Sequence, residues 1–245
     1  MAGLAATFAW LAYLEGMFRS LVFCTLLLGC TTVLLAQPAE DQRFAAFAYG
    51  GLNLAQIDGD YYFGYNKVGL RFGIGSNVII TPKSYISVGL GYNQGGAKAS
   101  RSERYDRSLA TINLRVNAAE VPVLFHYRLG KKEEYTVRAN HQLYRSGEIQ
   151  TGLAVSRVTG TSFRRTGLAS QLSRKENFVA VEDEFASTDL YWIVGFAVPL
   201  NMNISAYAQH GKSILGIYRP GEVTLDEVLP LYPYYFNFGL RYTLY

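Results

Sequence analysis

The chain has 245 residues, 14% aromatic and 17% charged, with 24 Gly and a formal net charge of +4. A charged share below the ~25% of soluble domains is unusual for a cytosolic enzyme, and so mild a positive charge points to no nucleic-acid partner. The length admits one large all-β domain or two small ones, and the composition suits aromatic girdles around an interior of small residues.

The front end reads as a targeting segment. A basic start at Met17 and Arg19 leads into an apolar run that ends at Ala36, and the chain turns polar at Gln37. That is the pattern of a signal peptide cut after Ala36, leaving 37–245 as the working domain. Residues 1–16 precede a complete signal, so Met17 is an alternative start. The apolar run from Leu21 to Ala36 is shorter than the ~20 residues of a membrane-spanning helix. A lipoprotein cut before Cys30 is disfavoured by Leu28 and by the apolar residues beyond. Cys24 and Cys30 are the only cysteines. The domain itself therefore lacks disulfides, thiolate metal sites and cysteine nucleophiles.

From about residue 43 the sequence alternates with period two, which is the signature of strands with unlike faces. Eight strands are predicted, at roughly 43–55, 66–80, 83–95, 109–129, 143–159, 186–199, 201–212 and 234–245. Residues 131–142 leave room for a short helix. In the second strand Val68, Leu70, Phe72 and Ile74 oppose Lys67, Gly69, Arg71 and Gly73. In the third, Ile86, Val88, Leu90 and Tyr92 oppose Tyr85, Ser87, Gly89 and Gly91. The sixth sets Trp192, Val194 and Phe196 against Tyr191, Ile193 and Gly195. The last sets Phe236, Phe238, Leu240 and Tyr242 against Asn237, Gly239, Arg241 and Thr243.

The second face of each strand decides the reading. It carries Gly, Ala, Ser, Tyr and Asn rather than the charges a soluble strand shows to water. Small residues suit a concave wall in a narrow barrel. The apolar face is therefore expected to meet lipid. The expected fold is an eight-stranded antiparallel up-and-down transmembrane β-barrel, closed because lipid cannot satisfy a bare strand edge. Long connections at 56–65, 96–108, 160–185 and 213–233 alternate with tight turns at 81–84 and 199–202, as in outer-membrane barrels whose termini are periplasmic. Eight strands leave an interior that side chains fill, so a diffusion pore is not expected.

Alternation turns Arg71, Glu120, His126, Arg128 and Arg241 inward. Buried charges are costly alone, so these five are expected to form a hydrogen-bonded ion network that plugs and braces the barrel, or alternatively gates a small solute. His126, His141 and His210 lack metal-ligand spacing, and no zinc motif is present. There is no G-x-S-x-G element, since residues 73–77 read GIGSN, and no particular serine can be matched to a histidine, so no catalytic residue is assigned. Asp58-Gly59-Asp60 reads as a turn, with too few ligands for calcium. No cofactor and no metal are expected. In the connections, Arg101, Arg104, Arg107, Arg164 and Arg165 are placed to meet lipopolysaccharide phosphates or a partner protein. Tyr232, Tyr234 and Tyr235 suit an interfacial aromatic belt.

Four short motifs add a family. Gly51-Leu52-Asn53, Gly64-Tyr65-Asn66-Lys67-Val68-Gly69, Glu120-Val121-Pro122 and the closing Gly239-Leu240-Arg241-Tyr242 resemble the PorT-like outer-membrane β-barrel family of Bacteroidetes, over about 43–245. The resemblance implies an eight-stranded barrel, insertion by the barrel assembly machinery, residence in the bacterial outer membrane and an accessory part in protein secretion. Tyr245 departs from the pattern, since it follows Leu244 out of phase with the lipid-facing stripe. The leading expectation is a non-enzymatic structural or interaction protein. Alternatives are a soluble lipocalin-like barrel that binds an apolar ligand, which would invert every face, and an outer-membrane lipid hydrolase.

Overall fold

A computed structural model describes residues 43–60, 62–81, 83–100, 111–129, 147–166, 183–219 and 229–244. The expected signal peptide (1–36), residues 131–142, Arg101, Arg104, Arg107, His141 and Tyr245 lie outside the described residues. Within the unit Arg43–Tyr245 the strands are β1 (Phe44–Asp58), β2 (Lys67–Thr81), β3 (Ser84–Lys98), β4 (Thr111–Arg128), β5 (Glu148–Thr166), β6 (Thr188–Pro199), β7 (Ile204–Ser213) and β8 (Tyr232–Leu244). Each pairs antiparallel with the next, and β8 returns to β1, so the sheet is a closed barrel.

Following partners around the ring measures the stagger. Ala45 faces Asn77, then come Ser87, Leu124, Gly152, Ile193, Gly211 and Tyr235, which faces Ala55. The trail rejoins β1 ten residues from its start. For eight strands with ordinary spacings this stagger implies a tilt of roughly 40°. At that geometry the interior is a packed side-chain core rather than a channel.

The alternation resolves into two environments. Phe72, Trp192 and Leu240 face outward, at 52%, 53% and 53% exposure, within a continuous apolar stripe. Asn53, Glu120, His126 and Asn237 are fully buried inside. The faces thus stand as the alternation predicts and are not inverted. Glycines on the inner wall make room for large neighbours. A Cβ on Gly239 would come within 2.6 Å of the Tyr207 hydroxyl, and one on Gly91 would strike that of Tyr49.

Two tight turns are held by side chains. Thr81 Oγ1 accepts from the Ser84 amide at 3.0 Å between β2 and β3. Asn201 Oδ1 accepts from the Asn203 and Ile204 amides at 2.9 and 2.7 Å between β6 and β7. Such local acceptors stabilise short connections. Asp58-Gly59-Asp60 is a turn: Gly59 has a φ of 96°, and Asp60 Oδ1 accepts from the Tyr62 amide at 2.9 Å.

The rim with the long connections departs from the expectation. β5 reaches Thr166, beyond the predicted end near 159. It follows β4 up to the Thr111–Thr166 pair through a bulge, where Asn117 faces Gly160 and Ala118 faces Val158. The extra residue shifts the phase of β5, which masks its upper half in a search for strict alternation. Arg164 and Arg165 are accordingly strand residues, not loop residues. At this rim Ile57, Tyr62, Ala97, Ile112, Leu114, Ile217 and Leu231 form a buried apolar core. The Tyr62 hydroxyl accepts from the Ile112 amide at 3.0 Å, and Tyr218 bridges to Leu231, tying connections to strands.

Candidate functional site

The lumen holds two charged clusters instead of one network. The first is built on Arg71 of β2, fully inside because its strand alternates with lipid-facing Leu70 and Phe72. Arg71 Nη2 and Nε donate to the Glu120 carboxylate of β4 at 2.8 and 3.3 Å. Asn93 of β3 donates to the same carboxylate at 2.9 Å, and Tyr235 of β8 does so at 3.4 Å. Arg71 Nη1 donates to Gln209 of β7. Its guanidinium also stands 5.5 and 5.4 Å from the ring centres of Tyr49 and Tyr235. A bidentate fork between a guanidinium and a carboxylate is the strongest ion-pair geometry. Here it spans β2 and β4 and recruits β3, β7 and β8, a brace across the barrel.

The second cluster centres on Glu148 of β5, nearer the tight turns. Arg241 of β8 donates to it, and the Tyr85 hydroxyl of β3 sits 2.8 Å from both of its oxygens. His126 of β4 lies 3.3 Å from it through Nδ1. The Tyr85 and His126 rings stack 4.2 Å apart, and the Arg128 guanidinium lies 5.1 Å from the Tyr85 ring centre. Glu148 accepts from the His126 Nδ1–H, which leaves Nε2 to accept from the Ser87 hydroxyl at 2.7 Å.

The sequence-derived set is therefore regrouped. Glu120 pairs with Arg71, while Arg241 and His126 gather on Glu148, a carboxylate that the sequence reading did not single out. The signal was present: Glu148 begins an inward series with Gln150, Gly152, Ala154 and Ser156. Gln209 and Asn93 were missed because neutral amides give no charge pattern to follow. Tyr235 is a further correction, since it points inward at 3% exposure and does not join an outer belt. Tyr234 does face out, against Tyr65 and His210. His210 is likewise on the outer face and donates from Nδ1 to the Tyr235 carbonyl at 3.0 Å.

Ser87–His126–Glu148 has the connectivity of an acyl-transfer relay, with hydroxyl, imidazole and carboxylate in line. Its surroundings limit what it can do. Ser87 is 4% exposed. The adjoining cavity, lined in part by Ser87, His126, Tyr49, Tyr207, Gln150 and Arg241, measures about 30 Å³. That space takes about two water molecules, far below the volume of a lipid ester. Among the described residues, no three His, Cys, Asp or Glu side chains converge as metal ligands.

No curated protein matches the sequence. Among solved structures, three outer-membrane or surface proteins are similar to this chain at low identity. Ail, the attachment invasion locus protein of Yersinia pestis, is 11% identical, with a TM-score of 0.39 over 83% of this chain and 100% of that one. Neisserial surface protein A is 12% identical, with a TM-score of 0.38 over 82% and 97% of the two chains. Acinetobacter baumannii CarO is 10% identical, with a TM-score of 0.41 over 80% and 97%. The family model of the outer membrane protein beta-barrel domain matches residues 35–210, a run that holds β1 to β6 and most of β7, and the chain belongs to that family.

Proposed function

We propose that this outer-membrane barrel is a closed, non-enzymatic structural or interaction protein of the PorT-like kind, an accessory to protein secretion or surface assembly. Its termini and tight turns face the periplasm, and its long connections face outward, where lipopolysaccharide or a partner would meet them. The barrel assembly machinery inserts it after removal of a signal peptide. The observation that carries this reading is the filled lumen. Two ion clusters cross it, an apolar core occupies its loop end, and one cavity beside the clusters measures about 30 Å³. A path for solutes needs a continuous wet cross-section, and these clusters stand across the one it would take.

Planar-bilayer recording tests the closed state. Purified protein should give no discrete conductance steps, and reproducible steps that disappear in Glu120→Ala would overturn it. Pull-down of the native protein in mild detergent tests the partner role, with a stoichiometric secretion or surface component as the expected result.

The Ser87–His126–Glu148 relay favours a second reading, a lipid hydrolase. A fluorophosphonate probe separates the two. No labelling of folded protein is expected, and covalent adduct on Ser87 would establish the hydrolase.

A further inference from the structure

At the loop rim β2 and β3 part company. They pair only as far as Arg71 and Asn93, although β2 begins four residues earlier at Lys67 and β3 continues to Lys98. Beyond Asn93, β3 stays with β4, from the Gln94–Asn117 pair to the Lys98–Asn113 pair. Gly96 permits the departure: its φ is 128°, a region L side chains rarely adopt, and a Cβ there would strike the Leu114 carbonyl. Ala97 and Leu114 turn into the apolar rim core. By alternation, Lys98, Asn113 and Arg115 lie on the opposite face of this two-stranded extension.

Lys67 reaches that face from below. It is 4% exposed, and its Nζ donates to Asn113 Oδ1 at 2.6 Å. An ammonium carries three donors, and one is used by this contact. Lys98 is the cross-strand partner of that Asn113, and Arg115 stands two residues from Asn113 on the same face. Among the described residues no carboxylate pairs with any of the three. Cations that share one face with no carboxylate partner among the described residues repel one another, so an anion between them lowers the energy.

The niche sits at a telling height. Val68, the neighbour of Lys67, is 60% exposed on the lipid stripe, and Leu90 of β3 is 58% exposed. Between the stripe and the niche, the Tyr92 hydroxyl donates to Asn117 Oδ1 at 2.7 Å, and Gln94 Nε2 donates to the same oxygen at 3.2 Å. A tyrosine with its ring toward lipid and its hydroxyl in a polar network marks the interface between hydrocarbon and headgroups. The opening therefore faces the headgroup layer, where the abundant anion is phosphate.

We propose that Lys67, Lys98 and Arg115 form a binding site for the phosphate of a lipid headgroup in the outer leaflet. The choice of leaflet rests on the outward orientation of this rim given above. Arg115 supplies the fork that suits phosphate oxygens, Lys98 a second cation, and Lys67 a fixed donor at the base.

The test uses the full protein in detergent, with bisphosphorylated lipid A as the probe and dephosphorylated lipid A as the control, read by native mass spectrometry. One bisphosphorylated lipid should remain bound. The double variant Lys98→Ala/Arg115→Ala should weaken it by about tenfold, since it removes two charge-assisted contacts, while a folded-form shift on unheated gels verifies that the barrel is intact. Dephosphorylated lipid A should bind as weakly as the variant does. Equal binding by wild type and variant, or of both lipids, would overturn the site. Displacement by millimolar inorganic phosphate would overturn the lipid as its source. Arg219→Cys, labelled on whole cells with an impermeant maleimide, checks orientation separately. Lipid binding without surface labelling would keep the phosphate site and move it to the inner leaflet.

Discussion

The turn end and the loop end of the lumen fill the same narrow space with opposite chemistry. Toward the turns, Arg71, Glu120, Arg241 and Glu148 lie buried in paired sets. At the loop rim, Ile57, Ile112, Leu114 and Leu231 pack as an ordinary apolar core. The difference follows from what lies outside the wall. Within the bilayer the outer face must be apolar, so polarity is confined to the inside, where buried groups tie one another across strands. Beyond the bilayer the wall meets water again. There apolar side chains gain by turning inward, as in any soluble sheet.

The two regions should therefore respond differently to mutation. The largest effect is expected from Glu120→Ala, which leaves Arg71 buried without its carboxylate and should cost about 3–5 kcal/mol. Urea titration in lipid vesicles, followed by tryptophan fluorescence, measures it. Arg71→Met/Glu120→Leu should recover most of the loss, and a single-variant cost under about 1 kcal/mol would remove the brace from the account. Leu114→Ala acts on the other region and should cost about 3 kcal/mol. Its signature is local, with faster proteolysis of the connections while the folded-form shift persists. If proteolysis is unchanged, the rim core does not hold the loops.

Gly211→Ala probes the fit around the first cluster. A Cβ there would lie 2.6 Å from the Tyr235 hydroxyl, and overpacking of this kind costs about 1–3 kcal/mol. A neutral result in the same titration would show that Tyr235 moves freely and does not contribute to the cluster. Ser87→Ala removes one hydrogen bond to His126 and should cost about 1 kcal/mol. A larger loss would mean that the serine organises the second cluster rather than joining it.

Much of this was legible in the residues. Strict alternation marked β2, β3, β6 and β8, and the small inner face told lumen from lipid. The upper half of β5 was not legible, because the bulge at Asn117–Ala118 breaks the phase that the eye follows. Glu148 escaped notice since a lone acid at a strand start looks like a loop charge until its register is known. Tyr235 shows the limit most clearly. Beside Tyr234 in a run of aromatics it looked like an interfacial residue, yet neighbouring strand positions must face opposite ways.

By itself the sequence determined that strands would form, which face of each would be apolar, and that the chain would close in a membrane, since period-two patterning and backbone saturation are local requirements. Only the tertiary structure decided who pairs with whom inside. The ten-residue stagger of the ring sets which side chains stand at one height, and so places Arg71 against Glu120, Arg241 against Glu148, and Lys67 against Asn113. No stretch of chain read alone contains that number, because it belongs to the closure of all eight strands together.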